Sequence, residues 1–166
     1  MLSILEKFFS NARGRKVVAT EFLRLGLKVD RAGKIYAGKI EIAPAKIARA
    51  LGVDRRVVIE TAKEIGKNEK LLHIFFRLEP RAFMGNAARE LGFDTIELRG
   101  DPKRKGIVAT VTKIISDDGI TIRQIIGDDP EIYPDPVLTI IINGKLKPGT
   151  ITKLKALEFA QSITIK

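Results

Sequence analysis

Two places in this sequence gather residue types that recognise anions. Arg55 and Arg56 stand side by side, with Lys46, Arg49 and Lys63 close by in the chain. Guanidinium forks bind phosphate oxygens, or the O6/N7 edge of guanine, in bidentate fashion, while lysine ammoniums serve phosphates as point charges. Further on, Gly100-Asp101-Pro102-Lys103-Arg104-Lys105-Gly106-Ile107 joins a strand pattern to a helix pattern. Its three cations, and the backbone N–H groups of Gly106 and Ile107 at a helix start, suit a carboxylate or a phosphate. Gln124, on the strand that follows, can offer a side-chain hydrogen bond.

Little else in the sequence carries reaction chemistry. His73 is the single histidine and lies in an apolar stretch with no carboxylate or second imidazole near it, the pattern of a core or interface residue. The acidic connection with Asp128, Asp129, Glu131 and Asp135 lacks the regular ligand spacing of a calcium loop. Without cysteine there is no thiolate nucleophile, disulfide or cysteine-ligated metal, and a reducing cytoplasm is the expected location. No G-x-x-x-x-G-K, nucleophile elbow or zinc motif occurs. The expectation is a protein that is not an enzyme and holds no cofactor and no metal.

Charge places the first anion-recognising group in a basic half. The net charge is +10, and residues 1–70 hold sixteen Lys/Arg against eight Asp/Glu, whereas residues 94–166 hold eleven against ten. A surplus of that size attracts polyanions through counterion release. The longest apolar runs, such as Ile74–Phe76 and Ile140–Ile142, fall far short of the roughly 18 residues of a membrane span, and no signal peptide is read at the start. With 30% charged residues but only two Gln and four Asn, the composition is that of a heat-adapted protein.

The elements that would position the arginines are helical. Leu2–Phe9 reads as one helix, and Arg15–Leu25 as a second, ended by Gly26. Gly33 and Gly38 flank Ile35-Tyr36, and Lys39–Ile42 alternates as a hairpin or an edge strand. Then comes Pro44–Lys63. Ala48 is small where two helices cross, Gly52 allows the positive φ of a tight turn, Leu51, Val53 and Val58 fill the wedge, and Asp54 caps the second helix. This segment resembles the helix-turn-helix of transcription regulators in its IA..LGV opening; Thr61 departs from the larger aliphatic usual there, with Ile65 available for packing. The resemblance implies that Arg55 and Arg56 read bases in the major groove and that Lys46, Arg49 and Lys63 hold phosphates. Duplex DNA is preferred to RNA because the segment lacks exposed aromatics for stacking.

The second half alternates strand, helix, strand, strand, helix, strand: Thr95–Arg99, a helix from Gly106 to Asp117-Asp118-Gly119, Ile120–Ile126, Val137–Ile142, Ile151–Phe159 capped by Thr150, and Ser162–Lys166. The stretch between, residues 71–93, begins strand-like at Leu72-His73-Ile74-Phe75-Phe76 and ends as a helix over Ala82–Leu91.

The expected fold is α+β: a (winged) helix-turn-helix domain in residues 1–70, a connecting strand/helix in 71–93, and a ferredoxin-like βαββαβ domain in 94–166. The loop before Gly106 and the DDGITI that ends the helix resemble the ACT domain. The whole chain thereby resembles the archaeal predicted regulators of amino-acid metabolism that join a helix-turn-helix to an ACT domain. That resemblance implies DNA and a small effector (an amino acid or another anionic metabolite) as partners, a homodimer or higher homo-oligomer with the effector at its interface near Asp101–Ile107, and no membrane. An allosteric partner of a biosynthetic enzyme, without DNA, is the alternative.

Overall fold

The computed structural model of the chain describes residues 2–166, with side chains from Ile4 onward. It is an α+β structure that divides into two compact units, Met1–Ala82 and Phe83–Lys166.

The first unit begins with α1 (Leu2–Phe9) and α2 (Arg13–Leu25). Val18, Ala19, Phe22 and Leu23 recur at helical spacing and form the buried stripe of α2. Gly26 ends it at φ +62°, where Leu27 N–H reaches back to Phe22 O at 2.8 Å. A side chain could not follow there: a Cβ on Gly26 would lie 2.5 Å from Glu79 O. The chain then forms β1 (Lys28–Val29), β2 (Ile35–Ala37) and β3 (Ile40–Glu41), an antiparallel sheet in that order. Ala37 pairs with Ile40 across Gly38-Lys39, so the alternation at Lys39–Ile42 belongs to a hairpin.

Three helices complete this unit: α3 (Pro44–Leu51), α4 (Arg55–Lys67) and α5 (Glu69–Phe75). Here one expectation fails, because Leu72–Phe75 is helical and not strand-like. Asn68 decides it, its Oδ1 accepting from Lys70 N at 3.1 Å and Leu71 N at 3.2 Å, so that Leu71, Leu72 and Phe75 are buried on one helical face. Phe75 meets Phe22 edge-on, ring centroids 6.5 Å apart.

The second unit runs β4 (Thr95–Gly100), α6 (Ile107–Asp117), β5 (Ile122–Gly127), β6 (Leu138–Ile142), α7 (Pro148–Lys155) and β7 (Ala160–Ile165). Its sheet has the order β5-β6-β4-β7 with every neighbouring pair antiparallel. Val111 and Ile115 of α6 and Leu154 of α7 share one core cluster with Ile96 and Leu98 of β4 and Ile140 and Ile142 of β6. Both helices therefore cover the same face of the sheet.

Three local expectations are corrected in this unit. Residues 85–92 form successive turns instead of a helix, with the Phe83 ring folded over Gly85 where a Cβ would stand. Ile120 is spent closing α6, its N–H on Ile115 O after Gly119 at φ +72°, so β5 starts at Ile122. Pro148 starts α7 three residues before Ile151, and Thr150 is no cap: it is fully buried and donates its hydroxyl to Asp118 Oδ2 at 2.6 Å. No described helix is long and apolar enough to cross a membrane.

Candidate functional site

The α3–α4 hairpin is built from local signals. Pro44, with φ fixed, opens α3. Gly52 closes it at φ +63°, and Val53 N–H returns to Ala48 O at 3.1 Å. Asp54 then caps α4, its Oδ1 accepting from Arg56 N at 2.7 Å. Ile47, Ala48 and Val58 are buried at the crossing, and Leu51 and Val53 are half-buried beside them. Thr61 is fully buried and satisfies its hydroxyl by donating to Val57 O one turn back at 2.7 Å, which is how a polar residue fits that wedge.

Because α4 buries Val58, Thr61, Ala62 and Ile65, Arg56 and Lys63 fall on its opposite face, while Arg55 stands on the flank at its first turn. Lys46, Arg49, Arg55, Arg56 and Lys63 are all exposed, and none pairs with an acid among the described residues. The acids of α4 are engaged elsewhere: Arg15 of α2 holds Glu60 at 2.7 Å and Glu64 at 2.8 Å. The hydrogen bonds that Arg15 donates to Glu64 and then Glu60 raise its pKa above the ordinary value. Arg55 and Arg56 occupy the first turn of α4, which holds no acidic residue. Two cations at the positive end of a helix oppose its dipole and cost the fold stability.

In the second unit, a cavity of about 380 Å³ opens at the start of α6. Leu98, Ile107, Val137 and Leu138 give it apolar walls, and Arg104 and Asp128 are its charged lining. Gly106 caps α6 at φ +85° with no side-chain cap, so the first N–H groups of the helix, at Ile107, Val108 and Ala109, have no acceptor within it. All three residues line the cavity. The Arg104 guanidinium lies 4.9 Å from the centre of the Phe159 ring, which holds it in place.

Of the residues expected to bind a ligand, Arg104, Gly106 and Ile107 meet at this cavity and the others do not. Asp101 builds the turn, its Oδ1 accepting from Lys103 N at 2.9 Å, while Lys103 and Lys105 are exposed outside the lining. Gln124 is committed to its own chain, its Oε1 accepting from Met84 N at 3.1 Å. Asp128 was not anticipated. It is half-buried and accepts from Val137 N at 3.1 Å, and only the pairing of Gly127 with Leu138 carries it beside α6.

Among the described residues no group of three or more His, Asp or Glu is placed to hold a metal. In the acidic connection, Asp129 caps a turn at Glu131 N and Asp135 pairs with Arg99 at 2.9 Å. His73 is exposed on α5, not buried in the core.

No family model matches the chain, and no curated protein matches its sequence. Among solved structures, the crystal structure of the archaeal protein PH0061 is similar at 16% identity over 75% of this chain and 78% of that one. Its TM-score is 0.27, so neither fold nor function is drawn from it.

Proposed function

We infer that this chain is a metabolite-responsive DNA-binding regulator. In this reading the α3–α4 hairpin is a helix-turn-helix, with Arg55 and Arg56 reading base edges and Lys46, Arg49 and Lys63 holding phosphates. The observation that carries it is the pair of guanidiniums in the first turn of α4, which have no acid partner among the described residues and oppose the helix dipole. Local choices that run against stability mark functional sites.

The second unit, in the same reading, is a ferredoxin-like sensor of the ACT type. Its cavity offers N–H groups and Arg104 to a carboxylate, Asp128 to an ammonium, and apolar walls to a side chain, which supports an amino acid or a related anionic metabolite as effector. Strand β5 is a sheet edge with Ile125 42% exposed, an edge suited to a second copy.

The test has two arms. A thermal-shift screen of amino acids, nucleotides and sugar phosphates should raise the melting temperature of the wild type and not of Arg104→Ala. Duplexes selected from a random pool should then bind with an affinity that the effector changes. A chain that selects no duplex, with or without the effector found, is not this regulator.

A further inference from the structure

The first unit carries a second basic surface, built around α5 and the three-stranded sheet, whose cavities are lined by no residue of α3 or α4. Phe76, the residue that ends α5, is 53% exposed. Lys28 Nζ lies 5.2 Å from the Tyr36 ring centre and 5.5 Å from that of Phe76, a cation shared by two rings. A cavity of about 390 Å³ lies against Phe76 and Arg77 with Arg31 and His73 in its lining. Another of about 400 Å³ lies against the same two residues with Lys28 and Lys39. The acids there are taken: Glu69 pairs with Arg31 at 2.9 Å and Glu79 with Arg81 at 3.3 Å. Arg77 and Lys39 have no acid partner among the described residues.

A lone exposed phenylalanine needs no explanation. An aromatic ring shared by two cavities of ligand size, where cations outnumber the acids Glu69 and Glu79 and each acid is paired, calls for a ligand with a flat π face and a negative charge. We propose that this surface binds a nucleotide, its base stacked on the open face of Phe76 and its phosphate among Arg77, Lys28 and Lys39. A sugar phosphate would leave the ring unused, and a fatty acid would need a longer apolar lining than Leu72, Leu78 and Pro80 supply. The same chemistry is presented by a free nucleotide and by an unpaired unit of a single strand.

The site is independent of the α3–α4 reading, and one set of titrations on the full chain separates the two. N-methylanthraniloyl-AMP is titrated by fluorescence and competed with AMP, ribose 5-phosphate and a short oligothymidylate. AMP should displace it, with ribose 5-phosphate weaker by about tenfold or more, since stacking on an aromatic side chain is worth that much per base. Phe76→Leu, which keeps the apolar volume, should weaken AMP by a similar factor; Phe76→Tyr should not. Arg77→Ala and Lys39→Ala should each weaken it in a salt-dependent way. A stronger effect of oligothymidylate per nucleotide assigns the site to single strands, and an equal one to free nucleotides. Equal competition by ribose 5-phosphate, full affinity in Phe76→Leu, or no binding at millimolar AMP overturns the proposal. Arg55→Ala with Arg56→Ala should leave AMP binding intact, and Phe76→Leu should leave duplex binding intact.

Discussion

On the α3–α4 hairpin, Lys46, Arg49, Arg55, Arg56 and Lys63 stand in solvent without an acid partner among the described residues. In residues 83–166, by contrast, Arg99, Lys113, Lys145, Lys153 and Lys166 each meet a carboxylate at 2.6–2.9 Å. The chemical groups are the same, and their partners differ. Lys153 and Thr150 converge on Asp118, whose backbone oxygen also accepts from Lys147, so the end of α6 is tied to the start of α7. Lys145 and the Leu146 N–H similarly secure Asp94 after β6. Cations that serve the fold are recognised by the acid they meet; on the proposed reading, the unpaired cations of the hairpin are free to serve a partner.

The largest expected effect breaks that comparison at the hairpin. Arg55→Ala with Arg56→Ala should weaken binding to a selected duplex by about a hundredfold or more, since each bidentate base contact contributes about 1–3 kcal/mol. The fold should not suffer: removing two cations from the positive end of α4 relieves about 0.3–1 kcal/mol each. Gel shifts and thermal melts on the same protein decide it. A variant that melts earlier yet binds normally would show that these arginines belong to the fold.

The complementary change, Asp118→Asn, should alter stability and leave duplex binding alone. Hydrogen bonds from Lys153 and then Thr150 hold the Asp118 carboxyl below its ordinary value. A carboxylate depressed in the folded state contributes stability above its unfolded pKa of about 3.9 and loses that contribution as pH falls through the folded value. The wild type should therefore lose stability on acidification below that range, and Asp118→Asn should be less stable at neutral pH and flatter in the acid window. Melting temperatures at stepped pH test this, and equal acid sensitivity in the two proteins would remove Asp118 from the account.

What the sequence made legible follows from how local each signal is. Pro44, Gly52 and Asp54 act within their own turns, so the hairpin can be read from them, and Gly26 and Gly106 mark helix boundaries for the same reason. Leu72–Phe76 is ambiguous because a short apolar run fits either a strand or a buried helical face; the side chain that resolves it is Asn68, outside the run. Thr150 has the composition of a cap, and only its long-range partner Asp118 explains its burial. At the cavity, the half contributed by the Gly106 turn was readable in sequence. The half contributed by Asp128, Val137 and Leu138 depends on strand register, which no local pattern reveals.

The smallest expected effects sharpen the comparison most, because they separate position from charge. Lys63→Ala and Arg99→Ala each remove one positive charge from a protein of net charge +10. If duplex binding merely followed net charge, the two would weaken it equally. If Lys63 holds a phosphate, its loss should lower the salt dependence of binding by about 0.9 in log–log slope, one released counterion. Arg99, paired with Asp135 and 35% exposed, should leave that slope unchanged and cost at most about 1 kcal/mol of stability, the range of a solvent-exposed ion pair. Equal slopes for the two variants would dissolve the distinction between the hairpin and the rest of the surface, and with it the assignment of α4 to DNA.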